Sequence, residues 1–454
     1  MSVEYSDLES ISEKIINILK TKYYNQIINS NHIIIDMFDF INLEFNIYSM
    51  FDVFDKLLRS LIVNICIENK FKEILEEELT IEYKNLYGIE CNFINLPKYI
   101  NKIVNIEGNI TSFYLPENIA IGYEVLCVKD YNHTHKIRLK NIQNNNNEED
   151  KDVNIYTCRV CGSYASKNVI YKNFCYFILE DLTSNIYTQV MCRCDYNIFL
   201  KENLTLSDYI EVIGMVKLDD DNKIFIEVLS ILKKSSIYID QNKVNEVVDM
   251  LKRFSPKERY EFLVNNFAKH IYGLRMVKEA ILLQLASPVL DKPLKRLHLH
   301  ILLVGDPSTA KSQLLLYVKN IIPKSIYTTG KGSTAAGLGA SINKDSKGKF
   351  IVAAGALVKS DKSICCIDEF STMSESDKEL LHEVMEQSTC SIAKAGIYMQ
   401  FNARTRLLCA MNPVNVLYNP YRTLFENTSL KPSLLSRFDI IIVLKDVFDV
   451  DYDT

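Results

Sequence analysis

One junction near residue 300 restricts the fold more than any other feature. Residues 299–304 (LHILLV) are an apolar run of strand length, followed at once by residues 305–312 (GDPSTAKS) and then by a helical stretch at 313–319. A strand, a tight turn and a helix N-terminus in that order form a phosphate cradle, because the turn's backbone N–H groups and the helix end converge on phosphate oxygens. Gly305, Asp306, Pro307, Ser308, Thr309 and Ala310 are the cradle candidates. Lys311 is placed to reach the β and γ phosphates, and Ser312 to bind Mg²⁺. Ala310 stands where the general pattern has its second glycine, so that pattern alone is incompletely matched.

A second buried run, residues 363–367 (SICCI), ends in Asp368-Glu369. Asp368 can hold Mg²⁺ while Glu369 polarises an attacking water as general base. An isolated acidic pair after a strand is usually a helix cap; the upstream phosphate loop makes the catalytic reading the stronger one. A third run, 406–410, leads to Asn412-Pro413, which reads as a plain turn or as the polar amide called sensor 1 in AAA+ proteins. Residues 434–439 (LLSRFD) set Arg437 ahead of another apolar run. Arg437 is a candidate finger for a neighbouring subunit's phosphate, with a surface ion pair as the alternative.

The remaining sequence suggests a multidomain α+β chain. Residues 1–95 carry helical periodicity, with Leu8, Ile11, Ile15, Ile16 and Leu19 on one face, and are expected to be a helical domain. Residues 96–235 hold short β-rich stretches separated by Asn, Gly and Asp, suited to an OB-fold barrel with a cysteine-bearing insertion. The tract 143–152 (QNNNNEEDKD) has nothing to bury and is expected to be a disordered loop. Residues 236–254 are expected to be a linker, and 255–454 an α/β AAA+ P-loop ATPase domain. No apolar run approaches the ~18 residues of a membrane span, so no membrane partner is expected. The net charge of -5 argues against a chain that coats nucleic acid over its whole surface. The 12 cysteines have no framework spacing and read as reduced and intracellular. Cys158-x-x-Cys161 is a half-site for Zn²⁺, with Cys175, Cys192 and Cys194 as further candidates, against a vestigial finger held by packing.

Taken in order, residues 305–313 (GDPSTAKSQ), 367–373 (IDEFSTM), 382–387 (HEVMEQ), 392–397 (IAKAGI), 402–404 (NAR), Asn412-Pro413 and 434–439 (LLSRFD) resemble the signature of the minichromosome maintenance (MCM) family. The resemblance is tight over about 255–447, makes Ala310 the expected residue, and adds Gln313 to the nucleotide contacts. Its wording lies nearest the subunit 3 branch of the eukaryotic heterohexamer. It implies an ATP- and Mg²⁺-dependent DNA helicase subunit of a hexameric ring in the nucleus. Replication initiation, the other MCM subunits, single- and double-stranded DNA and initiation factors follow as its setting. It also implies two channel-facing insertions, a glycine-rich one at 328–341 with Lys331 and a β-hairpin at 390–404 with Lys394 at its tip. Both lysines are DNA-contact candidates. Residues 291–298 (DKPLKRLH) depart from the Arg-Gly-Asp stretch usual before the phosphate-loop strand, and the sensor 2 lid is not found before Thr454. The alternatives are an ATP-binding, weakly hydrolysing structural subunit of the same ring and a chelatase-type AAA+ remodeller.

Overall fold

The computed structural model describes residues 5–40, 51–69, 74–129, 134–138, 156–158, 160–181, 188–219, 221–234, 241–287, 298–332, 334–345, 348–394, 396–415 and 417–445. The polar tract 143–152 and most of 291–298 lie outside them. The chain forms two compact units. The first is Met1–Asn109, Phe113–Leu204 and Ile210–Lys233; the second is Ile110–Ser112, Thr205–Tyr209 and Lys234–Thr454.

In the first unit, helices Tyr5–Ile18 and Phe51–Glu68 turn Ile11 and Ile15, and Phe54, Leu58, Ile62 and Ile65, toward one core. Spacings of three and four residues align these side chains, and each contributes roughly 1.5–3 kcal/mol on burial. The segment is not wholly helical. Strand His32–Asp36 pairs in parallel with Thr80–Lys84, burying Ile33, Ile35, Ile81 and Tyr83 against the helices. Ile103 and Met215 belong to the same hydrophobic cluster, so part of 96–235 packs on the core of residues 1–95 within one compact unit. Five strands, Ile103–Tyr114, Tyr164–Glu180, Gln189–Asp195, Tyr209–Leu218 and Ile224–Lys234, close on themselves as a barrel. Strand Glu117–Cys127 extends the sheet from Tyr164–Glu180.

In the second unit, helix Gln241–Lys252 occupies most of the expected linker. Helix Pro256–Asn266 follows behind a capping box, in which Ser255 accepts from Glu258 N–H and Glu258 reaches back to Ser255 N–H. The core is a five-stranded parallel sheet of β1 (Ile301–Gly305), β2 (Ile326–Thr329), β3 (Ile364–Asp368), β4 (Arg406–Met411) and β5 (Ile440–Leu444), in the order β2-β3-β4-β1-β5. β1, β3 and most of β4 read as unbroken apolar runs because helices cover a parallel sheet on both faces. Gly305 is obligatory at the end of β1: a Cβ there would lie 2.7 Å from Leu444 Cβ and its carbonyl oxygen on β5. Among the described residues, no helix is long and apolar enough to cross a membrane.

Candidate active site

Because β1, β3 and β4 run parallel and adjacent, their C-terminal ends deliver Gly305, Asp368 and Met411-Asn412 to one edge of the sheet. Crevices at that edge are where open α/β sheets bind ligands. Here the crevice is about 770 Å³, lined by Pro307 through Gln313, Lys331, Asp368, Glu369, Ser371, Thr372, Met411 and Asn412. The loop leads into helix Lys311–Ile321, whose N-terminus faces this space. Ser308 (φ 66°) and Ala310 (φ 57°) both adopt left-handed backbone. Glycine is usual at such positions because a Cβ makes that conformation costly by roughly 1–2 kcal/mol.

Lys311 is buried and donates to Gly305 O (2.9 Å), Asp306 O (2.6 Å) and Thr309 Oγ1 (3.0 Å). Burial pushes its ammonium below the ordinary lysine value, and the charges of Asp368 and Asp306 oppose that shift. Asp368 accepts from Glu369 N–H (2.8 Å) and from the Tyr327 hydroxyl (3.0 Å). Burial, then the Asp368 contact, pushes the Tyr327 phenol up to about 12, so it remains a donor at neutral pH. Glu369 is exposed to the cleft in a left-handed conformation (φ 49°). Gly330 lets β2 end against it, since a Cβ at 330 would lie 2.3 Å from Glu369 O.

Residues 412–427 are tied to this edge by backbone. Tyr418 N–H donates to Asp306 Oδ1 (2.7 Å), while buried Asn427 donates to Asn419 O, Arg422 O and Thr423 O. Arg437 does not line the cleft. It stands after helix Pro432–Leu435, with Nη2 2.9 Å from Glu386 and Nε directed at His382 Nε2 (3.4 Å), both on helix Glu375–Gln387.

The two expected insertions separate in kind. Strands Thr389–Lys394 and Ile397–Asn402 form the hairpin, with Lys394 opposite Ile397 at its tip and Gly396 at φ 77° in the turn. Its base is anchored by Arg404, which pairs with buried Asp361 through Nε (3.0 Å) and Nη2 (2.6 Å), a structural role that sequence reading missed. Lys331, a DNA-contact candidate, lines the cleft beside Asp368 and Glu369. The reason is register: Thr329 pairs with Asp368, so the two residues that follow it fall at the same sheet edge. The chain beyond 334 forms a short helix, Ala335–Leu338, and a strand pair, Ala340–Lys344 with Phe350–Ala354.

A second cluster lies in the first unit. Cys127, Cys158 and Cys161 bring their Sγ atoms within 4.8 Å of one another, Cys127 and Cys161 being 3.4 Å apart. The spread suits three thiolates about one Zn²⁺ at ~2.3 Å. A turn with Cys158 N–H on Ser163 O and Gly162 at φ 67° presents the Cys-x-x-Cys pair. Cys175 and Cys194 face each other across paired strands and Cys192 is wholly buried; burial pushes all three thiols up, and none of the three belongs to the thiol cluster found among the described residues. Metal analysis of the purified chain should find stoichiometric zinc that Cys127→Ser removes and Cys175→Ser retains. Zinc-free protein, or equal loss in both variants, would refute the site.

Similarity to known proteins bears on these arrangements. Residues 246–454 match the model of the MCM P-loop domain. The chain is 49% identical over 216 residues to DNA replication licensing factor mcm4 of Xenopus tropicalis, covering 46% of this chain and 25% of that protein. It is 45% identical over 222 residues to DNA replication licensing factor MCM4 of Arabidopsis thaliana (48% and 26%). It is 45% identical over 207 residues to DNA replication licensing factor mcm7-A of Xenopus laevis (45% and 29%). The matched stretch thus spans between a quarter and a third of these relatives. These relatives are subunit 4 and subunit 7 proteins and do not support the subunit 3 resemblance.

Proposed function

Since residues 246–454 carry an MCM P-loop domain, we propose that this chain is an ATP-hydrolysing subunit of a hexameric MCM-type DNA helicase ring. Its setting is DNA replication initiation and fork unwinding in the nucleus. It works beside other MCM subunits, initiation factors and both single- and double-stranded DNA. The observation that carries this reading is the convergence of the loop at 305–312, the Asp368-Glu369 pair and Asn412 on one cleft. On this reading the closed five-stranded barrel of the first unit is an OB-fold, a module suited to single strands.

The roles follow from the donors. Loop amides and the N-terminus of helix Lys311–Ile321 would cradle the phosphates, with Gly305, Asp306, Pro307, Ser308, Thr309, Ala310 and Gln313 shaping the contact. Lys311 would exchange its carbonyl acceptors for β and γ phosphate oxygens. Ser312 and Asp368 would hold Mg²⁺, which neutralises charge on the transferred group when bound. Glu369 would take the proton of the attacking water at its carboxylate. Asn412 would orient that water or the γ-phosphate, and Arg437 would serve a neighbouring subunit's cleft.

Two lysines test the reading together. Lys394→Ala should weaken single-stranded DNA binding by the full chain and reduce its salt dependence, leaving ATP affinity unchanged. Lys331→Ala should do the converse, weakening ATP several-fold, by about 1 kcal/mol as for a partly exposed charge contact, and sparing DNA. Fluorescence anisotropy with labelled oligonucleotide and labelled ATP reads both. DNA binding indifferent to Lys394 would remove the helicase part of the proposal.

A further inference from the structure

We infer that Tyr327 is a positioning residue for the cleft's magnesium-binding carboxylate, its hydroxyl fixing which lone pairs Asp368 turns toward the nucleotide. The inference rests on the nucleotide reading of the cleft and adds to it a residue that neither the phosphate loop nor the acidic pair contains. Tyr327 sits in edge strand β2, in register with Cys366 of β3. Its ring packs against the hydrophobic cluster that includes Leu314, Leu315, Val318 and Cys366, which leaves the hydroxyl as the polar end of an anchored side chain. That hydroxyl donates to Asp368 Oδ2 at 3.0 Å. The other oxygen, Oδ1, accepts Glu369 N–H at 2.8 Å.

Two donors, one on each oxygen, hold the carboxylate plane, because rotation about the Cβ–Cγ bond breaks one contact or the other. The backbone is held as well: Gly330 N–H donates to Asp368 O at 2.8 Å, closing the end of β2 onto the end of β3. Only the lone pairs not used by Tyr327 and Glu369 remain for a cation or its water. A carboxylate preorganised in this way binds Mg²⁺ without first losing rotational freedom, and outer-shell donors to metal-binding carboxylates typically matter 10–100-fold. A bland reading is that the hydroxyl merely needs an acceptor at the sheet edge. The two readings differ in their dependence on magnesium.

Calorimetric titration of the full chain with ATP, in excess Mg²⁺ and in EDTA, separates them. Tyr327→Phe keeps the packed ring and removes only the donor. We expect it to weaken binding in Mg²⁺ about tenfold, at the low end of outer-shell effects, with binding in EDTA unchanged. In an Asp368→Asn background the same change should add nothing, since the two side chains act as one unit. Equal weakening with and without Mg²⁺, an effect that adds fully to Asp368→Asn, or a large fall in the melting temperature of the ligand-free Phe variant would make Tyr327 structural and overturn the inference. A wild-type chain that binds ATP more tightly in Mg²⁺, with a Phe variant identical to it, overturns the inference alone. A wild-type chain with no magnesium-dependent ATP binding overturns the nucleotide reading as well.

Discussion

Lys311→Ala is expected to lower magnesium-ATP affinity by about 2–5 kcal/mol, roughly 30-fold to several-thousand-fold, and to remove any turnover at this site. The size follows from where the ammonium sits. It is buried, and it reaches three oxygens of its own loop, Gly305 O, Asp306 O and Thr309 Oγ1. Burial favours the neutral amine, while Asp368 and Asp306 favour the charge. A triphosphate adds far more negative charge than those two groups and would hold the lysine protonated. Alanine removes that cation where little water can replace it. It also strips the donor from two carbonyls, so a modest loss of ligand-free stability, about 1–3 kcal/mol, should accompany the effect. Titration of the chain with magnesium-ATP, and the rise in melting temperature that ATP produces, together read both quantities. Undiminished affinity in a folded Lys311→Ala chain would mean that the loop at 305–312 is not a phosphate cradle.

What could be read from sequence is what depends on neighbours in sequence. The phosphate loop and the acidic pair are runs in which strand and turn are consecutive, and each is found where its local pattern puts it; the hairpin with Lys394 at its tip, which the family resemblance implies, is formed as well. The features that were missed or misplaced depend on register between distant strands. Lys331 lies in a glycine-rich stretch that suggests no neighbour, and the pairing of Thr329 with Asp368 sets it beside the cleft at the sheet edge. Tyr327 looks like an ordinary strand aromatic until the same pairing brings its hydroxyl to Asp368. Cys127 ends a strand far from the Cys158-x-x-Cys161 turn, and strand Tyr164–Glu180 folding back on it closes the distance; no spacing rule points there. The parallel pair of His32–Asp36 and Thr80–Lys84 was hidden in the same way, because a five-residue apolar strand flanked by helices has too few residues to announce its period.

Arg437→Ala should leave ATP binding by this chain unchanged while lowering turnover at the adjoining subunit of the proposed ring about 10³-fold or more, the scale of an arginine supplied in trans. Two aspects of the geometry require that split. Arg437 is not among the residues lining its own cleft, so no phosphate there loses a contact when it is removed. It is also held on the surface by Glu386 at 2.9 Å, with side chains 33% and 46% exposed. An ion pair that exposed is worth about 0–1 kcal/mol, too little to compete with a γ-phosphate presented by a neighbour. The ion pair with Glu386 is therefore one that a neighbour's phosphate can displace. Glu386→Gln should reduce turnover only slightly where Arg437→Ala nearly abolishes it. The comparison calls for equilibrium ATP binding on the chain alone and turnover after mixing with MCM partner subunits. Weakened ATP binding by the isolated Arg437→Ala chain would show that the arginine acts in cis, and a cleft completed by the next subunit would have to be abandoned.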